Sequence, residues 1–149
     1  MRAASTMTRD VTVIPPELDL ASAWRIMKRE HIRHLPVLRA GALVGMLSDR
    51  DVLLRSEVDE DGHVEVPEAT LVAEAMTAMP LETCESSTSV ADLARLMTEK
   101  KIDAIPVVHG LRLVGLVTSN DLLALLVRRE EARPLPFEFR IVESEQAYA

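Results

Sequence analysis

Aromatic side chains are nearly missing from this chain. Among 149 residues there are two phenylalanines, one tryptophan and one tyrosine. With 48% of the residues apolar a core can form, but it must be built from Leu, Val, Ile, Ala and Met. Cysteine is scarcer still: Cys84 stands alone. No intramolecular disulfide can close, no cysteine-rich metal site is available, and this usage fits a reducing cytoplasm. No stretch approaches the roughly 20 apolar residues that cross a bilayer. The opening segment, Met1 to Asp10, lacks the apolar run of a secretory signal. Positive charge is in deficit as well. Seventeen Lys and Arg face 24 Asp and Glu, a net charge of −7, which disfavours a general nucleic-acid binder.

What is present is a repeat, the feature to seek before any other. A shift of 70 positions lays Ala21 on Ala91, Arg25 on Arg95, Met27 on Met97 and Ile32 on Ile102. The same shift lays Pro36-Val37 on Pro106-Val107, Leu43-Val44-Gly45 on Leu113-Val114-Gly115, Asp51 on Asp121 and Leu53 on Leu123. Met7-Thr8 meets Met76-Thr77 if one extra residue is allowed. About seven tenths of the chain thus falls in two related units. Two copies of so long a period suggest a pseudo-twofold pair rather than a solenoid.

Each unit reads β-α-β-β-α. In the first, Thr12-Val13-Ile14 is a short strand stopped by Pro15-Pro16, and Asp19 caps a helix from Leu20 to about Glu30. Leu20, Ala23, Trp24, Met27 and His31 make one face of that helix. Leu35 to Leu38 and Leu43 to Leu47 are strands about a tight turn, with Pro36 suited to a strand's first turn or an edge. A second helix begins at Asp49. In the second unit Thr83-Cys84 lies near the first strand, and Ser89-x-x-Asp92 looks like a capping box for a helix over Val90 to Lys100. Strands at Ile105 to Val108 and Leu113 to Val117 follow, then a helix from Ser119 to about Glu131. The expected divisions are 1–56, an acidic connector with a lead-in helix at 57–75, 76–131, and a tail at 132–149. Within the connector, Ser56 to Pro67 reads as exposed, and Thr70 to Met76 suits a short helix. In the tail, Pro134 to Val142 alternates as an edge strand would and holds both phenylalanines.

Ser48-x-x-Asp51 and Thr118-x-x-Asp121 close the two strand-to-helix turns. Taken singly, each is a helix N-terminal capping pattern. Three features add weight to a binding role. The pattern occurs twice in equivalent places. A glycine three residues earlier removes a side chain where strand, helix and ligand would come close. A helix N-terminus after a strand suits phosphate, and a carboxylate there suits a ribose.

These motifs carry a resemblance. With Ile32-Arg33-His34-Leu35-Pro36-Val37 and Ile102-Asp103-Ala104-Ile105-Pro106-Val107, and the paired Met-Thr steps, the chain resembles a tandem pair of cystathionine-β-synthase (CBS) domains over about residues 7–127. The resemblance implies an α+β fold of two β-α-β-β-α units about a pseudo-twofold axis, dimerisation, and clefts for adenosine derivatives such as AMP, ADP, ATP or S-adenosylmethionine. One cleft would use Thr12, Ile32, Arg33 and His34 near the base, with Thr118 and Asp121 on ribose and phosphate. The other would use Glu82, Ile102, Asp103 and Ala104, with Ser48, Arg50 and Asp51. Arg33 and His34 favour the first cleft for a nucleotide. Glu82 and Asp103 favour a less negative ligand in the second.

Other candidates have plainer readings. His31, His34, His63 and His109 lack further ligands at metal-like spacings, so no metal site is expected. Cys84 suits a small buried hydrophobe better than a redox thiol. Trp24 suits the core or a subunit interface, and Arg128 to Glu131 a solvated helix end. No glycine-rich phosphate loop or nucleophile-base-acid set stands out. The expected protein is a cytoplasmic, non-enzymatic regulatory homodimer needing no cofactor, which binds an adenosine-type ligand and signals to a separate protein. A ligand-free dimeric scaffold is the alternative.

Overall fold

In this computed structural model, residues 1–129 are described. The expected edge strand at Pro134 to Val142 lies outside them. The elements run α1 (Ala3–Thr6), α2 (Leu20–Glu30), β1 (His34–Arg39), β2 (Ala42–Ser48), α3 (Asp49–Leu54), β3 (Glu57–Val58), β4 (Val64–Glu65), α4 (Val72–Ala75), β5 (Thr77–Ala78), α5 (Val90–Lys100), β6 (Ala104–His109), β7 (Arg112–Thr118) and α6 (Ser119–Arg129). No helix among the described residues is long and apolar enough to cross a membrane.

The two long helices before the hairpins begin where their caps dictate. Asp19 accepts from the Ser22 N–H at 2.8 Å, and Ser89 accepts from the Asp92 N–H at 3.1 Å. Each ends on a left-handed residue, His31 or Lys101, both at φ 54°. That removes His31 from the helix face it was expected to join: it is an exposed C-cap. Leu20, Ala23 and Met27 are buried as the spacing requires, with Trp24 packed half-buried at the edge and the Lys28 ammonium 4.2 Å from its ring centre.

The main sheet runs β1-β2-β7-β6, antiparallel throughout, with β5 added to β2. The registers repeat: His34 faces Ser48 as Ala104 faces Thr118, and each hairpin shifts register at the same place, after Val37 and after Val107. The expected strand at Thr12 to Ile14 shrinks to one parallel bridge, Ile14 to Val37, because Pro15 and Pro16 follow at once and cannot donate. Its counterpart is the bridge from Cys84 to Val107. Pro36 sits in the outer strand, where its carbonyl accepts from the Ile14 N–H at 3.1 Å. The connector is exposed but not shapeless. β3 and β4 pair as a small hairpin whose loop is organised by Asp59, accepting from the Asp61 and His63 N–H groups at 2.9 and 2.8 Å.

Two aliphatic cores result, and the lead-in segments are exchanged between them. Leu20, Leu35, Val37, Leu47 and Val52 form the first core together with Val72 of α4. Leu93, Ile105, Val107, Val117 and Cys84 form the second together with Ala3 of α1. β5 lies on β2 at Gly45 and Met46, and Thr8 bridges Leu116 of β7. This crossing explains the repeated glycines. A Cβ at Gly45 would sit 2.6 Å from Met76 Sδ and 2.9 Å from the Thr77 carbonyl oxygen. One at Gly115 would sit 2.5 Å from Met7 Sδ and 3.0 Å from the Thr8 carbonyl oxygen. The glycines make room for the exchanged Met-Thr steps.

Candidate functional site

Both repeated turns are held by their own carboxylates. At the end of β2, Asp51 accepts from the Ser48 N–H at 2.8 Å and Ser48 Oγ accepts from the Asp51 N–H at 3.1 Å, a reciprocal capping box. At the end of β7, Asp121 Oδ2 accepts from the Thr118 N–H at 2.7 Å and from its hydroxyl at 3.1 Å. Each turn is tied to its own unit's preceding segment. The Asp49 N–H donates to the Arg33 carbonyl and the Ser119 N–H to the Asp103 carbonyl, both at 2.9 Å.

Between the two units lies a cavity of about 520 Å³, within the usual range for small-molecule sites. One wall is the start of α3, with Ser48, Asp49, Arg50 and Asp51, together with His34 and Met46 from the first hairpin. The facing wall is Lys101, Ile102, Asp103 and Ala104, where α5 turns into β6. Thr77, Pro80, Leu81 and Glu82 close a third side, directly after the segment anchored on the first core. The cavity is therefore a joint product of the hairpin register, the left-handed turn at Lys101 and the exchanged lead-in.

Of the residues singled out from sequence, Ser48, Arg50, Asp51, Glu82, Ile102, Asp103 and Ala104 line this cavity. His34 lines it too, although it was assigned with Arg33 to the other cleft. Thr12, Ile32, Arg33, Thr118 and Asp121 do not line it. Thr12 donates to Glu30 at 2.6 Å, Ile32 packs against the first core, and Arg33 is exposed. Sequence reasoning missed Lys101 and Asp49, each one residue from a residue it did select. It also missed Pro80 and Leu81, for which no local pattern existed.

Charge in the cavity is uneven. Asp49, Asp51, Glu82 and Asp103 face Arg50 and Lys101. Glu82 has an exposed partner in Lys100 at 3.8 Å. Burial pushes the His34 imidazole below its usual range, overriding the upward pull of Asp49, Asp103 and Asp51, while Arg33 lowers it further. His34 is therefore neutral at pH 7.

Two side sites resolve plainly. Asp59, Asp61 and His63 bring ligand atoms within 4.8 Å of one another, a grouping the spacing of the histidines did not reveal. All three are exposed, and Asp59 is engaged as the hydrogen-bond hub of its loop. Cys84 is buried, and burial pushes its thiol up to about 11, so it is a core residue and not a reactive thiolate.

The family model for the CBS domain matches residues 3–57 and 72–128. This chain belongs to the CBS domain family. The CBS domain-containing protein YhcV of Bacillus subtilis is 32% identical over 128 residues, covering 85% of this chain and 86% of that one. Inosine-5′-monophosphate dehydrogenase of Mycobacterium tuberculosis is 36% identical over 122 residues, covering 80% of this chain; the match spans only 21% of the dehydrogenase. Among solved structures, the CBS domain pair of MJ0100, in complex with 5′-methylthioadenosine and S-adenosyl-L-methionine, superposes with a TM-score of 0.73 at 23% identity, covering 87% of this chain and 98% of that one. CBSX2 in complex with AMP gives 0.74 at 24% identity, with the same coverage. These two likenesses are of fold. They establish the two CBS units as a tandem α+β pair.

Proposed function

We propose that this CBS pair is a non-enzymatic regulatory module that binds an adenosine-containing ligand between its units and signals to a separate protein. The observation that carries this reading is the cavity walled by both copies of the repeat, with a carboxylate, Asp51, fixed at a strand-to-helix turn on its rim. Asp51 Oδ2 is engaged by the Ser48 N–H, which leaves Oδ1 to accept from ribose hydroxyls. MJ0100 and CBSX2 hold adenosine compounds on the same fold; the reading for this chain rests on its own cavity. The binding site is placed here, at Ser48, Arg50, Asp51, Ile102, Asp103 and Ala104, and not in the cleft of Thr12, Ile32, Arg33, Thr118 and Asp121. A ligand held between units that can bind two arrangements differently shifts their balance, which is what regulation requires.

The reading includes a homodimer. Leu53 and Leu123 occupy the same place in the two copies and are 42% and 57% exposed, with Leu126 at 57% beside a groove between α5 and α6. A second copy laid on this groove would cover Leu123 and Leu126. Sedimentation of the wild type and of Leu126→Glu tests this, with a shift to monomer expected. Calorimetric titration of AMP, ADP, ATP and S-adenosylmethionine tests the site. Binding that vanishes in Asp51→Ala supports it, and no binding by ligand-free protein overturns it. The capping box at Ser48 and Asp51 is complete without a ligand, which favours one second reading, a dimeric scaffold with an empty cleft.

A further inference from the structure

We propose that this cavity selects an adenosyl sulfonium bearing an amino-acid tail, the chemistry of S-adenosylmethionine, over adenosine phosphates. The inference rests on the adenosine reading above and adds the sign of the ligand's charge.

Four carboxylates and two cations line the cavity, a formal excess of two negative charges. Counting Lys100 beside Glu82 reduces the excess without reversing it. The carboxylates come from all three sides, Asp49 and Asp51 on α3, Asp103 on the facing wall and Glu82 on the third, so no side of the cavity is free of negative charge. A phosphate carries its charge at one end and needs cations in excess there. Like charge close by in a partly enclosed site repels it more strongly than bulk water would allow. His34 adds no compensating charge, since its imidazole is held neutral.

A ligand of mixed sign fits this lining better. A sulfonium and an ammonium can face carboxylates while the ligand's own carboxylate meets Arg50 or Lys101, which stand on opposite walls. The sequence copy at the other end of the repeat marks the contrast. There the shift of 70 replaces Asp49 by Ser119, Glu82 by Thr12 and Asp103 by Arg33. The negative excess belongs to one end of the repeat and is no requirement of the fold.

The test is calorimetry on the full chain at low salt with four probes: S-adenosylmethionine, S-adenosylhomocysteine, AMP and ATP. The first two share one skeleton and differ by a methyl group and its positive charge. S-adenosylmethionine is expected to bind about tenfold more tightly than S-adenosylhomocysteine, with AMP weaker than both and ATP weakest. The ratio of the first to AMP should fall about tenfold in Glu82→Gln/Asp103→Asn, whose side chains are exposed, and shrink as salt is raised. Equal binding of the sulfonium and thioether compounds overturns the inference, as does AMP or ATP binding at least as tightly as S-adenosylmethionine. In those cases the adenosine reading survives. Failure of all four probes overturns both. The comparison of the first two probes needs no variant, so a folding defect cannot mimic the result.

Discussion

The two strand-to-helix turns have the same backbone and different surroundings. Ser48 to Asp51 and Thr118 to Asp121 end equivalent strands, face equivalent partners and carry a carboxylate engaged by the backbone N–H three residues before it. Yet Arg50 stands where the second copy has Asn120, and Asp103 where the first has Arg33. The shared features are those that close the turn and admit the exchanged segment. Arg50, Asn120, Asp103 and Arg33 are all exposed side chains. Duplication fixed the geometry of both ends, and charge was then free to differ between them.

Paired substitutions test how far the equivalence extends. The largest effect belongs to the cores. Leu35 and Ile105 occupy the same position and are both fully buried, so Leu35→Ala and Ile105→Ala should each cost about 2–5 kcal/mol in urea unfolding. Loss in one alone would break the comparison. Gly45→Val and Gly115→Val come next. Each drives a side chain into a backbone carbonyl and a methionine, and each should cost about 1–3 kcal/mol.

The carboxylates should separate the two ends. Asp51→Ala and Asp121→Ala each lose a cap interaction worth about 1 kcal/mol in thermal melts. Ligand affinity, by contrast, should fall at least tenfold, about 1.4 kcal/mol, only in Asp51→Ala. Equal losses of affinity would place binding at both ends.

The smallest effect concerns His34, whose counterpart is Ala104. Its folded-state pKa lies below the ordinary 6.5, so the unfolded chain takes up the proton first as pH falls. Stability is full above about pH 6.5, declines as pH drops below that value, and levels off below the folded-state pKa. Urea unfolding between pH 7.5 and 5.5 should show this decline in the wild type and a shallower one in His34→Ala.

Much of the fold was legible because it is written in local terms. α2 and α5 announce themselves by a capping residue and an apolar face, and the hairpins by apolar runs about a turn. The failures have physical causes. α1 has four residues, too few for a period to show, and is held by packing on the other unit's core. β3 and β4 have two residues each, and their pairing depends on Asp59. The glycines were visible, but their reason was not, since Met7 and Met76 reach them only through the exchange. At the site, duplication pointed to Ser48 and Asp51. Lys101 and Pro80 join them through tertiary placement that no short pattern records.

The exchange has a consequence for dissecting the molecule. α1 precedes the first repeat but plugs the second core, while α4 precedes the second and plugs the first. A protease nicking the exposed loop between Asp59 and His63 would cut the only covalent link between the halves and release neither. Separately expressed halves would each carry the other's stopper and lack their own, so they should recover native structure only when mixed. The smallest autonomous folding unit is then the clasped pair, and melting should show one transition rather than two.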